Sequence, residues 1–203
     1  MSASITDLPA VNQILQSIGQ APVTTLDETN PDVAIAYNTL LQVSKEVQAE
    51  GWTFNTEFNF PLTPDNNKEI IVTSSMLQID LTDEYPNKDV VVRDGKLYER
   101  AEDHATNKWT AGQTYYFDIV WYYNEWLDLP VPIQDYIISK AATVTAQRII
   151  GDPQLIRTLQ QREMFSRSNA LEYECRQGDY TFFGHPHGKA YRTSYKPYQA
   201  LQR

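Results

Sequence analysis

Four stretches of this 203-residue chain carry a proline at their start and a glycine at their end, and that punctuation limits the fold more than any other feature. Proline lacks an N–H that a first helical turn does not need, and its φ is already helical. Glycine tolerates the left-handed conformation that often ends a helix. The first stretch runs from Asp7, read as the N-cap, through Pro9 to Gly19, with Leu8, Val11, Ile14, Leu15 and Ile18 on one stripe. The second has Asn30 as N-cap, Pro31 next and Gly51 at its end, with Val33, Tyr37, Leu40, Leu41 and Val47 near one face. The third starts at Pro132 and stops at Gly151, placing Ile133, Tyr136, Ile137, Ala141, Val144 and Ile149 inward. Asp152 and Pro153 open the fourth at once, and Gly178 closes it. The expectation is four helices in two hairpins.

Between the hairpins the apolar period falls from about 3.6 to 2, the signature of strands. In EGWTFNTEFNFPL (50–62), Trp52, Phe54, Phe58, Phe60 and Leu62 alternate with polar residues, which predicts a strand with one apolar face. EIIVT (69–73) and MLQIDL (76–81) are further short strands. In VVVRDGKLYE (90–99), Asp94-Gly95 supplies the positive φ values of a type I′ hairpin turn. TYYFDIVWYYNEW (114–126) is apolar on both faces, so it reads as a central strand or as one that packs on a partner.

The predicted fold class is therefore α+β: a discontinuous four-helix bundle with an inserted antiparallel β domain and an extended C-terminal arm. Its boundaries are 1–51 for the first hairpin, 52–131 for the β domain, 132–178 for the second hairpin and 179–203 for the arm. The arm, with its Gly and Pro breaks, shows no helical period. Tyr180, Phe182, Phe183, Tyr191, Arg192, Tyr195, Lys196 and Tyr198 make it aromatic and basic, as expected of a segment that orders on a partner. The alternative is a strap over its own domain.

Net charge is −9, yet residues 181–203 carry +4, so the rest of the chain holds −13. That acidic body argues against tight nucleic-acid binding, which needs Lys and Arg for phosphate contacts. The N-terminal MSASITDLPA lacks the basic and apolar regions of a signal peptide. The longest aromatic run, YYFDIVWYY, is too short to cross a bilayer, so no membrane partner is expected. The single cysteine, Cys175, rules out an intrachain disulfide and reads as an inert buried thiol suited to a reducing compartment.

Chemistry is thinly represented. Phosphate-binding loops, dinucleotide fingerprints, nucleophile elbows and zinc-protease signatures do not occur. His185 and His187 could share one face of an extended chain, but no further ligands stand near them in sequence, and His104 lies in a charged loop. Glu57, Asp80, Asp83, Glu84 and Asp118 are the carboxylates a glycosidase pair would draw on, without a feature that singles any of them out. No catalytic residue, metal site or cofactor is assigned, and the chain is not expected to be an enzyme.

The order AVNQILQSIGQAPVTTL (10–26), a long helix, then GWTFNTE (51–57) resembles the tail tubular protein A family, the adaptor or head-to-tail connector subunits of short-tailed bacteriophages. Over 132–177 the resemblance continues as pattern, with its Gly151-Asp152-Pro153 connection. The aromatic, basic arm looks particular to this sequence. The resemblance implies a subunit of a dodecameric ring in the neck of the virion, assembled in the host cytoplasm. The portal protein would sit above the ring, the nozzle (tail tubular protein B) below it and tail fibres near that lower junction. DNA would pass through the lumen without specific binding. A polysaccharide-degrading or glycan-binding tail component is the alternative.

Overall fold

The computed structural model describes residues 7–27, 29–82, 85, 88–100 and 106–178. Its order is α1 (Leu8–Ser17), α2 (Pro31–Gln48), β1 (Thr56–Leu62), β2 (Met76–Leu81), β3 (Asp89–Arg93), β4 (Lys96–Arg100), β5 (Tyr115–Trp121), a short 3-10 turn (Trp126–Asp128), α3 (Val131–Ile149) and α4 (Pro153–Gln177). Over the described residues the fold is α+β, with four helices and small antiparallel sheets. The expected arm, 179–203, lies outside the described residues.

Helix ends follow the punctuation closely. Asn30 accepts a hydrogen bond from the Asp32 N–H at 3.1 Å, and Asp152 one from the Gln154 N–H at 3.0 Å. Gly51 takes φ +77° beyond α2. Asp7 departs from its predicted role: its carboxylate caps nothing, is buried, and accepts from the Tyr37 hydroxyl at 3.4 Å. Gly178 also differs, ending α4 at φ −76° without the left-handed turn.

Helix α3 packs against α1, α2 and α4, and α1 also meets α2, whereas α4 packs chiefly on α3. The first apolar core therefore centres on α3. Val11, Ile14 and Leu15 from α1 and Val33, Leu40 and Val43 from α2 close around Ile133, Tyr136, Ile137 and Ala141. The residues predicted inward on α3 are buried or, for Val144 and Ile149, half-buried. From α4 only Leu159 and Ala170 join this core as buried residues.

The five described strands lie between α2 and α3 in sequence. Strand β5 is central in a sheet of order β1-β5-β2, with both neighbours antiparallel. It ends at Trp121, shorter than its apolar run, and its two-sided character is used within the chain. Tyr115, Phe117 and Ile119 face a second core with Ile70, Leu97 and Trp109, while Val120 on the other face is also buried. A Cβ placed on Gly51 would stand 3.4 Å from Val120 Cγ2, so the chain after α2 runs close over that face. Strands β3 and β4 form the predicted hairpin, and Asp94 and Gly95 at its tip take φ +49° and +69°. Residues 69–73 make no regular strand. They run beside β4, with the Leu97 N–H donating to Ile70 O and the Val72 N–H to Gly95 O, both at 2.9 Å.

The alternation of 52–62 does not form one strand. Pairing begins only at Thr56, and a bulge with Asn59 at φ +57° shifts the register between Glu57 and Phe60. Trp52 and Phe54 belong to the helical core, Phe60 and Leu62 to the β core, and Phe58 is exposed. The apolar period thus serves two cores in succession.

Candidate assembly surfaces

The seam between helices and sheet is polar, and its buried amides are hydrogen-bonded. Asn55 is completely buried: its Oδ1 accepts from the Trp52 N–H at 2.9 Å, while its Nδ2 donates to Gln48 O and Trp121 O, both at 2.8 Å. The side chain of Gln48, also buried, accepts from the Tyr123 N–H at 2.8 Å and donates to Tyr123 O at 3.1 Å and Ser44 Oγ at 3.0 Å. At the far end of α4, both carboxylate oxygens of Glu174 accept from the Thr53 N–H at 3.0 Å, and Oε1 accepts from the Thr53 hydroxyl at 2.6 Å. Arg167 adds a tie to the Tyr136 hydroxyl at 3.2 Å and to Glu50 at 3.5 Å. Buried polar groups satisfied this completely hold their neighbours in one arrangement. None of these roles was assigned from sequence; only the W-T-F-N string that contains Asn55 stood out.

Outward faces carry the large apolar side chains left over. On α4, Met164 and Phe165 are 73% and 69% exposed and Leu171 46%, opposite the side that bears Leu159, Ser166 and Ala170. At the entry to α3, Leu127 is 73% and Val131 68% exposed. A surface groove of about 510 Å³ lies between α2 and the loops before β2 and after β5, lined by Leu41, Lys45, Ser75, Tyr122 and Asn124 among others.

The partner-binding residues expected from sequence, Tyr180, Phe182, Phe183, Tyr191, Arg192, Tyr195, Lys196 and Tyr198, lie outside the described residues, as do His104, His185, His187, Asp83 and Glu84. Cys175 is exposed, not buried as expected, because it falls on the outward side of α4 with Met164 and Leu171. Of the remaining candidate carboxylates, Glu57 accepts from the Trp121 indole N–H at 3.0 Å and Asp118 from the Asn59 N–H at 3.0 Å. Asp80 stands directly across from Asp118 on the neighbouring strand and accepts from its own chain at Leu81. Glu57 and Asp118 thus tie β1 to β5. No group of three or more His, Cys, Asp or Glu that could hold a metal occurs among the described residues, and no helix there is long and apolar enough to cross a membrane.

One carboxylate is strongly perturbed. Lys108 and Lys96 both reach Glu69 at 2.8 Å and hold its pKa down at about 2, against an ordinary 4.5. A folded-state pKa below the unfolded one adds stability above pH 4.5 that disappears as pH falls toward 2. Melting temperature should therefore drop more steeply across that window in the wild type than in Glu69→Gln. Parallel curves would show that the pair contributes nothing measurable, as many exposed pairs do.

What this geometry defines is a class: an α+β protein with two apolar cores, a hydrogen-bonded seam and large apolar side chains exposed on both helices and strands. The chain belongs to the tail tubular protein family, whose model matches residues 8–180. It is thus a structural component of a phage tail. The match spans every described helix and strand, and stops short of all the expected arm residues except Tyr180. No curated protein gives a significant match.

Proposed function

We propose that this chain is the adaptor subunit that joins the portal of the phage head to the tail nozzle, as a closed ring around the DNA ejection channel. The observation that carries this reading is the family match over residues 8–180, together with the order of motifs from SIG through W-T-F-N that resembles the tail tubular A adaptors. In this reading the two helical hairpins (1–51 and 132–178) form a four-helix bundle toward the portal. The β unit (52–131) turns toward the nozzle and tail fibres, and the arm (179–203) reaches the portal or a neighbouring subunit. Two separate apolar cores joined by a polar seam support the division. A body of charge −13 supports a lumen that lets DNA pass without retaining it.

The test is to mix the purified chain with purified portal and image the particles in negative stain. The full chain should add a ring of density beneath the portal. A truncation after Gly178 should keep its helical circular dichroism yet fail to join. Full-length protein that leaves the portal bare would sink the adaptor reading, and a truncated form that joins normally would make the arm dispensable.

A further inference from the structure

The two apolar patches differ in the charge around them. The α4 strip of Met164, Phe165 and Leu171 is flanked by exposed Arg157, two turns before Met164 on the same stripe, and by Arg162 one turn before Phe165. The one acid on that outward side, Glu172, is already paired with Arg176. The α3 entry is the reverse: Leu127 and Val131 stand among exposed Glu125, Asp128 and Asp135, residues 122–138 contain no Lys or Arg, and Arg167, which reaches Tyr136 from α4, is paired with Glu50.

We propose that the α4 strip of one copy seats on the α3 entry of the next, so that copies of this chain join head to tail. This deepens the adaptor reading and rests on it, since it names the contact that would close the ring. Like patches cannot pair well. Two α4 strips face to face would oppose arginines, and two α3 entries would oppose three carboxylates each, so only the unlike pairing matches in both charge and apolarity. A contact between two different patches, unless reciprocated across a two-fold axis, leaves one of each free on every growing assembly. It therefore continues until a ring closes, whereas a like-to-like contact stops at a dimer. The flanking charges select the partner and its orientation, and Phe165 supplies the large buried anchor.

The experiment is sedimentation of the full chain over a range of concentrations, with charge reversal and rescue. Asp128→Arg with Asp135→Arg should weaken self-association about tenfold or more, and so should Arg157→Glu with Arg162→Glu. All four changes in one chain should recover most of the loss, because each reversed patch again meets its complement. Phe165→Asp should abolish association in both backgrounds. In Val131→Cys, oxidation against the native Cys175 should give a ladder of covalent multimers that Cys175→Ser removes. Monomers at every concentration, association that ignores Phe165→Asp, or four reversals without recovery would each overturn the contact. The same proteins on portal separate the two ideas: rings that form with Phe165→Asp discard this surface and keep the adaptor, whereas wild type that forms no ring discards both.

Discussion

Replacing Asn55 with alanine should lower the unfolding free energy by about 3 kcal/mol or more, read as a shift of the urea midpoint. The side chain is fully buried and serves three backbone groups at once: the Trp52 N–H and the carbonyls of Gln48 and Trp121. Removing it leaves one buried donor and two buried acceptors without this partner, and each orphan costs about 1–3 kcal/mol unless water replaces the amide. It also loosens the turn that sends Trp52, whose indole donates to Val47 O at 2.7 Å, into the helical core. Asn55→Asp should be worse, because it aims a carboxylate at two carbonyls in a site closed to solvent. A loss under about 1 kcal/mol for the alanine variant would mean that the seam is wet and the amide replaceable.

Phe117→Ala should cost about 3–5 kcal/mol, the usual range for emptying a buried aromatic site. Phe117 is fully buried on the central strand β5 and meets Trp109 edge to face at a centroid distance of 6.2 Å. The informative part is where that loss appears. Its damage is confined to the second core, while Ile14, Leu40 and Ile137 lie in the first. If the β unit unfolds by itself, the near-ultraviolet signal of its aromatic residues should melt well before the helical signal. Coincident melting by both probes would instead show one cooperative unit, and would remove the inserted-domain division.

These two sites also mark how far the sequence could be read. Helices were legible to within a few residues because Pro31, Pro153, Gly51 and Gly151 act locally, through φ and a missing N–H. The β3-β4 hairpin was legible for the same reason at Asp94-Gly95. The fate of residues 52–60 was not. Their alternation satisfies a strand template, and contacts outside the segment, of Trp52 with Val47, Thr53 with Glu174 and Asn55 with Gln48 and Trp121, turn the first half away from the sheet. Asp7 looked like a cap by position, but Tyr37, thirty residues on, takes its carboxylate. The exposed apolar side chains of α4 were partly legible as well. Arg157, Met164 and Leu171 recur every seven residues, opposite the equally spaced Leu159 and Ser166, so α4 carries two stripes. Leu127 and Val131 gave no periodic signal, since a 3-10 turn and a helix start share that patch.

Glu174 has one more effect. By gripping both the amide and the hydroxyl of Thr53, the last turns of α4 fasten the longest helix to the first residues after α2. Drawing that helix tip away would cost a buried carboxylate these three hydrogen bonds, so the end of α4 and the segment that leads into β1 stay together.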